Sequence, residues 1–264
     1  MRASKVGSWV LCSIAAGGLL PAAAQAEIGT FRGYVGAAPT SYQISFDQNA
    51  PNFGGGLKYQ GKTAKSSYTA VNLGLAWISP KGIYVEVSGQ KSLSATHDFW
   101  SDVGSSSEDF SHDAYTLTGG YSHVLSGSGM SISGFGGYTQ ASTSLGAPSP
   151  PFNFSKDKFQ SKAIFLGVGW GMPALGGQVG ASLAIASGSG TWKDDNGFNN
   201  NADYMIGYSV GASYTYKINQ SFGVTADLRH QQYRYDFGVY ATNAPAYSVT
   251  EKITSAGVRL SYQF

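Results

Sequence analysis

The chain has 264 residues, of which 12% are charged and 14% aromatic, with 36 glycines and 17 Lys+Arg against 15 Asp+Glu. A soluble surface usually carries roughly a quarter or more charged residues, so this composition argues against an ordinary soluble enzyme and suits an exterior that faces lipid. The small net charge excludes the basic excess of a nucleic-acid footprint, and one cysteine excludes a disulfide framework or a Cys-ligated metal.

The first 26 residues read as a secretory signal. Arg2 and Lys5 precede the apolar run Trp9 to Leu20, and Ala22-Ala23-Ala24-Gln25-Ala26 supplies a small-residue cleavage site after Ala26. The run is too short to cross a bilayer as a helix, and Leu11 before Cys12 is too large for a lipoprotein signal. Cleavage removes the only cysteine. It also removes Arg2 and Lys5, leaving 15 basic against 15 acidic residues on residues 27–264, which form one domain.

No later stretch sustains a helical period; what recurs is alternation of apolar and polar residues, the mark of a strand with one oily face. Phe31 to Ser45 is a first, less regular strand. Val71, Leu73, Leu75 and Trp77 share a face in the second, which ends at the turn Ser79-Pro80-Lys81-Gly82. Ile83, Val85 and Val87 follow, then Tyr115, Leu117 and Tyr121, a turn at 125–129, and a strand from Met130 to Thr143. Ile164, Leu166, Val168 and Trp170 pair through the turn 172–177 with Val179 to Ile185. Tyr204 to Tyr216 is one long apolar face, turned at 217–221 into Phe222, Val224, Ala226 and Leu228. The last strand, Ile253 to Phe264, has Ala256, Val258, Leu260 and Tyr262 on one face and Ser255, Gly257, Arg259, Ser261 and Gln263 on the other.

The joins at 79–82, 125–129, 172–177 and 217–221 are short, and those at 47–66, 96–112, 144–157, 188–202 and 238–248 are long and polar. Strict alternation of short and long joins predicts an all-β fold: a transmembrane antiparallel up-and-down β-barrel of about ten strands, with short periplasmic turns and longer extracellular loops. Trp77, Trp170, Tyr216, Tyr262 and Phe264 then form an aromatic girdle at the periplasmic end. The aromatic ending resembles the C-terminal strand of bacterial outer-membrane β-barrels. The resemblance implies recognition by periplasmic and outer-membrane assembly machinery and a place in the outer membrane of a Gram-negative cell.

With the apolar face outward, Glu86, Asp227, Arg229, Glu251 and Arg259 point into the lumen, where charges must pair because an unpaired buried charge costs several kcal/mol. Glu86, Asp227 and Arg259 are expected at similar heights, with Arg229 slightly above. The other inward positions read as mostly Gly, Ser, Thr and Ala, which leaves both a salt-bridged plug and a thin water-filled channel open. Lys158, Lys162, Arg234 and Lys252 point outward near the extracellular end. There they meet either lipopolysaccharide phosphates, through charge-assisted hydrogen bonds, or bulk water. No phosphate-cradling glycine loop, nucleophile elbow, HExxH or EF-hand pattern is present, so no cofactor and no metal is expected.

Parity along the strands places Asp98 and His112 inward at one side of the mouth and Asp194 and Asp203 inward at the other. This rim, the strand number, the small-residue turn before the ninth strand and the ending Ser261-Tyr262-Gln263-Phe264 resemble the omptin family of outer-membrane proteases. That resemblance implies acids and a histidine activating a water between two loops. The chain departs from the family pattern: Thr96 to Asp102 contains no Asp-x-Asp, Trp192 to Asn196 contains no histidine, and the loops are shorter. The sequence therefore favours a non-enzymatic outer-membrane protein, serving narrow porin-like passage of small solutes or adhesion to extracellular ligands. An omptin-like protease acting through Asp98, His112, Asp194 and Asp203 is the alternative.

Overall fold

The computed structural model describes residues 29–50, 52–53, 57–58, 61, 63–93, 95–98, 107–145, 157–193, 199–239 and 246–264. Among the described residues every regular element is a strand: β1 (Thr30–Phe46), β2 (Asn52–Phe53), β3 (Leu57–Lys58), β4 (Thr63–Ile78), β5 (Ile83–Ser92), β6 (Ala95–Asp98) and β7 (Ser107–Val124), then β8 (Ser131–Leu145), β9 (Asp157–Ala174), β10 (Gly177–Lys193), β11 (Asn199–Asn201), β12 (Tyr204–Lys217), β13 (Phe222–Phe237) and β14 (Tyr247–Gln263). β2 and β3 form a separate small hairpin; β6 prolongs β5, and β11 lies against the end of β10. The remaining ten strands pair antiparallel with their sequence neighbours, and β1 pairs with both β4 and β14, closing the barrel.

Closure has a measurable stagger. Paired residues traced around the wall run Tyr34, Gly74, Ser88, Thr116, Thr139, Ala163, Gly188, Met205, Tyr235, Val249 and back to β1 at Phe46. The ladder thus climbs by the twelve residues from Tyr34 to Phe46 in one circuit, which for ten strands requires a tilt of about 40°. The short turns all lie at one end, here called lower. At Ser79–Gly82 the Ser79 N–H donates to the Ile83 carbonyl at 2.7 Å, and Gly82 takes φ +86°, a conformation open to glycine without strain.

Along the lower part of each strand the apolar residues face out. Phe31 and Val35 on β1, Leu166, Val168 and Trp170 on β9, Phe222 and Leu228 on β13, and Val258, Leu260 and Tyr262 on β14 are all exposed. Higher up, the phase inverts. Tyr42, Ile44 and Phe46 on β1, Phe159 on β9, Tyr233, Tyr235 and Phe237 on β13, and Tyr247, Val249 and Ile253 on β14 turn inward and are buried, joined by Phe110, Leu145 and Trp192 in one core. The exterior at that height includes Ser41, Gln43, Gln232, Arg234, Lys252 and Thr254, with Tyr204, Ile206 and Tyr208 still exposed beside them on β12. The barrel wall is therefore apolar outside below and gains an apolar interior above, where the exterior becomes mixed.

This corrects the expectation that the inward positions are mostly small. Several inward glycines do have a packing role, because each of these seats a ring from a neighbouring strand. A Cβ at Gly74 would meet the Tyr34 ring, one at Gly120 the Tyr84 ring, one at Gly167 the Phe135 ring and one at Gly207 the Tyr233 ring. Gly207→Val should therefore cost about 1–3 kcal/mol by overpacking, read as a lower urea midpoint in detergent micelles. Gly134→Val, whose Cβ meets nothing, should leave the midpoint unchanged.

Candidate functional site

The lumen has two polar layers, separated by a cavity of about 40 Å³, room for a very few waters. The lower layer is ionic. Glu86, buried on β5, accepts hydrogen bonds from the Tyr34 hydroxyl at 3.0 Å and the Ser88 hydroxyl at 3.1 Å, and its second oxygen lies 4.0 Å from Arg32 Nη2. Arg259 lies on β14 between its two neighbouring strands, with Nε 3.1 Å from Asp227 Oδ1 on β13 and its guanidinium 5.2 Å from the centre of the Tyr34 ring on β1. Gly36 leaves that arginine room, since a Cβ there would strike its side chain. Arg229 lines the cavity just above and makes no ion pair among the described residues. Arg32 is the member that sequence reading omits; it lies on the strand whose alternation is hardest to follow.

The upper layer is built around Glu251, buried on β14. Its Oε2 accepts a hydrogen bond from the Tyr235 hydroxyl at 2.9 Å. The hydroxyls of Thr143 and Tyr42 face the same carboxylate, that of Tyr42 without completing an aligned hydrogen bond. His112 Nδ1 lies 2.8 Å from Thr143 Oγ1, and its ring packs 5.5 Å from that of Tyr42. Glu251 thus reaches His112 through one threonine, in the floor of an aromatic cap. Above it Phe159 meets Tyr235 edge-on at 4.7 Å, Phe46 meets Trp192 at 5.2 Å, and Phe237 stacks on Tyr247 at 4.7 Å.

The proposed rim constellation is not assembled among the described residues. His112 is buried in the lumen, below the cap rather than at the mouth. Asp98 falls on β6, beyond an irregularity: from Ser92 to His97 the chain takes five steps while its partner β4 takes four, Ala70 to Ser66. That extra residue is a β-bulge, and beyond it the backbone of Asp98 pairs opposite Lys65 and Ser107. A second bulge separates Asn201, opposite Thr191, from Met205, opposite Gly188. Asp203 lies in it, exposed, with its N–H bonded to the Asp236 carbonyl at 2.8 Å. Asp194 lies outside the described residues. Among the described residues no three histidine or carboxylate groups gather as a metal site.

On the outer wall Lys158, Lys162 and Arg234 are exposed and Lys252 is half-exposed. Arg234 Nε lies 3.0 Å from Asp236 Oδ1; no ion pair of the three lysines occurs among the described residues.

No protein-family model matches the sequence, and no curated protein sequence matches it. Solved structures do. The outer membrane protease OmpT from Escherichia coli superposes with a TM-score of 0.56 at 11% identity, over 92% of this chain and all of that one. The translocator domain of the autotransporter NalP from Neisseria meningitidis gives 0.46 at 12% identity, over 88% of each chain. The outer membrane protein OprG from Pseudomonas aeruginosa gives 0.41 at 13% identity, over 90% of this chain and 97% of that one. The fold is that of the outer-membrane β-barrels, in the ten-stranded omptin-like architecture. At this identity the likeness carries the fold and no activity.

Asp227→Ala would leave Arg259 buried, 7% exposed, without its counter-charge. Removing one partner of a buried pair costs about 3–5 kcal/mol, so the urea midpoint in micelles should fall sharply. The double variant Asp227→Leu with Arg259→Met should recover most of the loss.

Proposed function

We propose that the chain is an integral protein of the bacterial outer membrane, exported by the signal at 1–26 and inserted by the outer-membrane assembly machinery. Its capped barrel acts as a rigid platform for extracellular contacts. The observation that carries this reading is the cap. Phe46, Phe159, Trp192, Tyr235, Phe237 and Val249 fill the upper lumen to burial near completion, and packing of that kind has the density of a protein interior rather than of a pore. Passage of a solute would require these rings to leave one another. The apolar lower exterior supports membrane insertion, since only helices and closed barrels satisfy every backbone polar group in hydrocarbon.

Hydrolysis at the rim has less support. General-base work needs the base within hydrogen-bond reach of a water and a substrate, and His112 sits beneath the cap, bonded to Thr143. The surface role falls instead to the upper ends of the strands and their connections.

Planar-bilayer recording distinguishes these roles. Wild-type protein should give no stepwise conductance, and combined Phe159→Ala, Trp192→Ala and Tyr235→Ala should create it; steps from the wild type would overturn the platform reading. Replacing residues 146–156 by a short Gly-Ser turn should reduce attachment of whole cells to host matrix while leaving the barrel's heat-modifiable migration unchanged.

A further inference from the structure

A broad, mostly apolar basin of about 1010 Å³ crosses the outer wall over β4, β1, β14, β13 and β12. One row of paired residues gives it a low side and a steep side. Thr69 stands opposite Pro39, and Leu228 stands opposite Ala256 and Ala212. Between them, Ala37 opposite Val258 and Thr40 opposite Ser255 bring Pro39 beside Ala256. Pro39, Ala256 and Ala37 are all exposed and carry little bulk. Leu228, 62% exposed, rises next to them as a knob.

The wall is also incomplete at this point. The β1–β14 register lapses between Ala37 and Thr40, where Pro39 has no N–H to donate. Odd residues of β1 donate toward β14, as Phe31 does to Phe264, so the Ala256 carbonyl is left without its ladder donor. An acceptor left single is costly against hydrocarbon. A facing backbone that comes close offers it Cα–H donors instead, and the small residues around it permit that approach. Association within lipid rests on packing of this kind, because hydrocarbon solvates apolar side chains as well as protein does.

We propose that this face joins two copies of the chain side by side, around a two-fold axis along the membrane normal between β1 and β14. A two-fold contact is isologous, so knob and hole must lie on one surface and at one height. The strands lean by about 40°; the row from Leu228 through Ala256 to Pro39 therefore climbs, and Ala37, two residues below Pro39, returns to the height of Leu228. Leu228 of one protomer then seats over Ala37 of its partner, and the two Ala256 meet near the axis. Charge favours the same face. Arg229 turns into the lumen, and no other Lys, Arg, Asp or Glu lines the basin among the described residues. The second outer groove, over Ile164, Ser187 and Ile206, has Arg234 at its edge and Lys162 opposite Ser189, so a second copy there would set cations against cations. A single acyl chain fits the basin poorly, since five strands span about 19 Å.

The dimer rests on the outer-membrane reading, and one set of measurements separates the two. In a Cys12→Ser background in lipid vesicles, Ala256→Cys should cross-link to a dimer on mild oxidation, and Leu166→Cys, on the far wall, should not. Energy transfer between labelled protomers across a lipid-dilution series reads the association itself. Leu228→Ala should weaken it by about tenfold or more, and Ala256→Trp, which fills the basin, should abolish it; both should keep the wild-type heat-modifiable migration. Leu166→Ala should leave association unchanged. Wild-type protein that stays monomeric at every dilution, undiminished association of folded Ala256→Trp, or cross-linking of Leu166→Cys in place of Ala256→Cys would overturn the proposal. Failure of the wild type to enter vesicles would instead overturn the membrane assignment.

Discussion

Closure of the ladder between β1 and β14 is the constraint on which the other features depend. Their pairing runs from Arg32 opposite Gln263 to Phe46 opposite Val249, and Phe31 and Phe264 exchange backbone hydrogen bonds at 3.1 and 3.0 Å beneath it, with their rings stacked at 6.0 Å. A closed sheet has no edge, so no row of backbone donors and acceptors is left to face hydrocarbon. It also forces every side chain either into the lumen or onto the outer wall. Once the sides are fixed, the stagger decides which residues share a height. Arg259 and Asp227 can then meet across β13 and β14 while Glu86 takes Tyr34 and Arg32 from β1.

The same strands pass through two environments. Below, the exterior is apolar and the lumen is a small ionic network seated among glycines; above, the exterior is mixed and the interior is a packed aromatic core. Most of the barrel strands run for 14 to 18 residues, longer than the 9–11 residues needed to cross a bilayer. The excess length is held together as any soluble β-domain is, by burying hydrophobic side chains inside. The aromatic cap therefore stabilises the projecting part of the wall and closes the lumen in one arrangement.

Much of the fold was legible because the lower strand segments repeat a single pattern. Leu166, Val168 and Trp170, or Leu260 and Tyr262, need no tertiary information to be assigned outward, and the short turns mark one end. The cap was not legible by the same reading. On β13 the even positions Phe222 to Leu228 are apolar and outward, but from Tyr233 the odd positions carry the bulk. A reader following one parity sees the strand fade where it has changed phase. The irregularity of β1 has the same origin, with Val35 outward and Tyr42, Ile44 and Phe46 inward. Parity failed more locally at the bulge before β12, which leaves Asp203 exposed; nothing short of the pairing reveals such a shift. His112 kept its inward side, but its depth beneath Phe110 and Tyr42 depends on the rings that the sequence reading left out.

The inversion of phase along one strand is the most direct point of test. Single spin labels placed by Val224→Cys, Leu228→Cys, Gln232→Cys, Arg234→Cys and Tyr235→Cys in reconstituted protein report collision with oxygen, which concentrates in lipid, and with a water-soluble nickel chelate. The positions 224 and 228 should favour oxygen, 232 and 234 should favour the chelate, and 235 should be shielded from both. Oxygen preference continuing to 234, or free access of the chelate to 235, would contradict a capped barrel whose apolar side changes from the outer wall to the lumen.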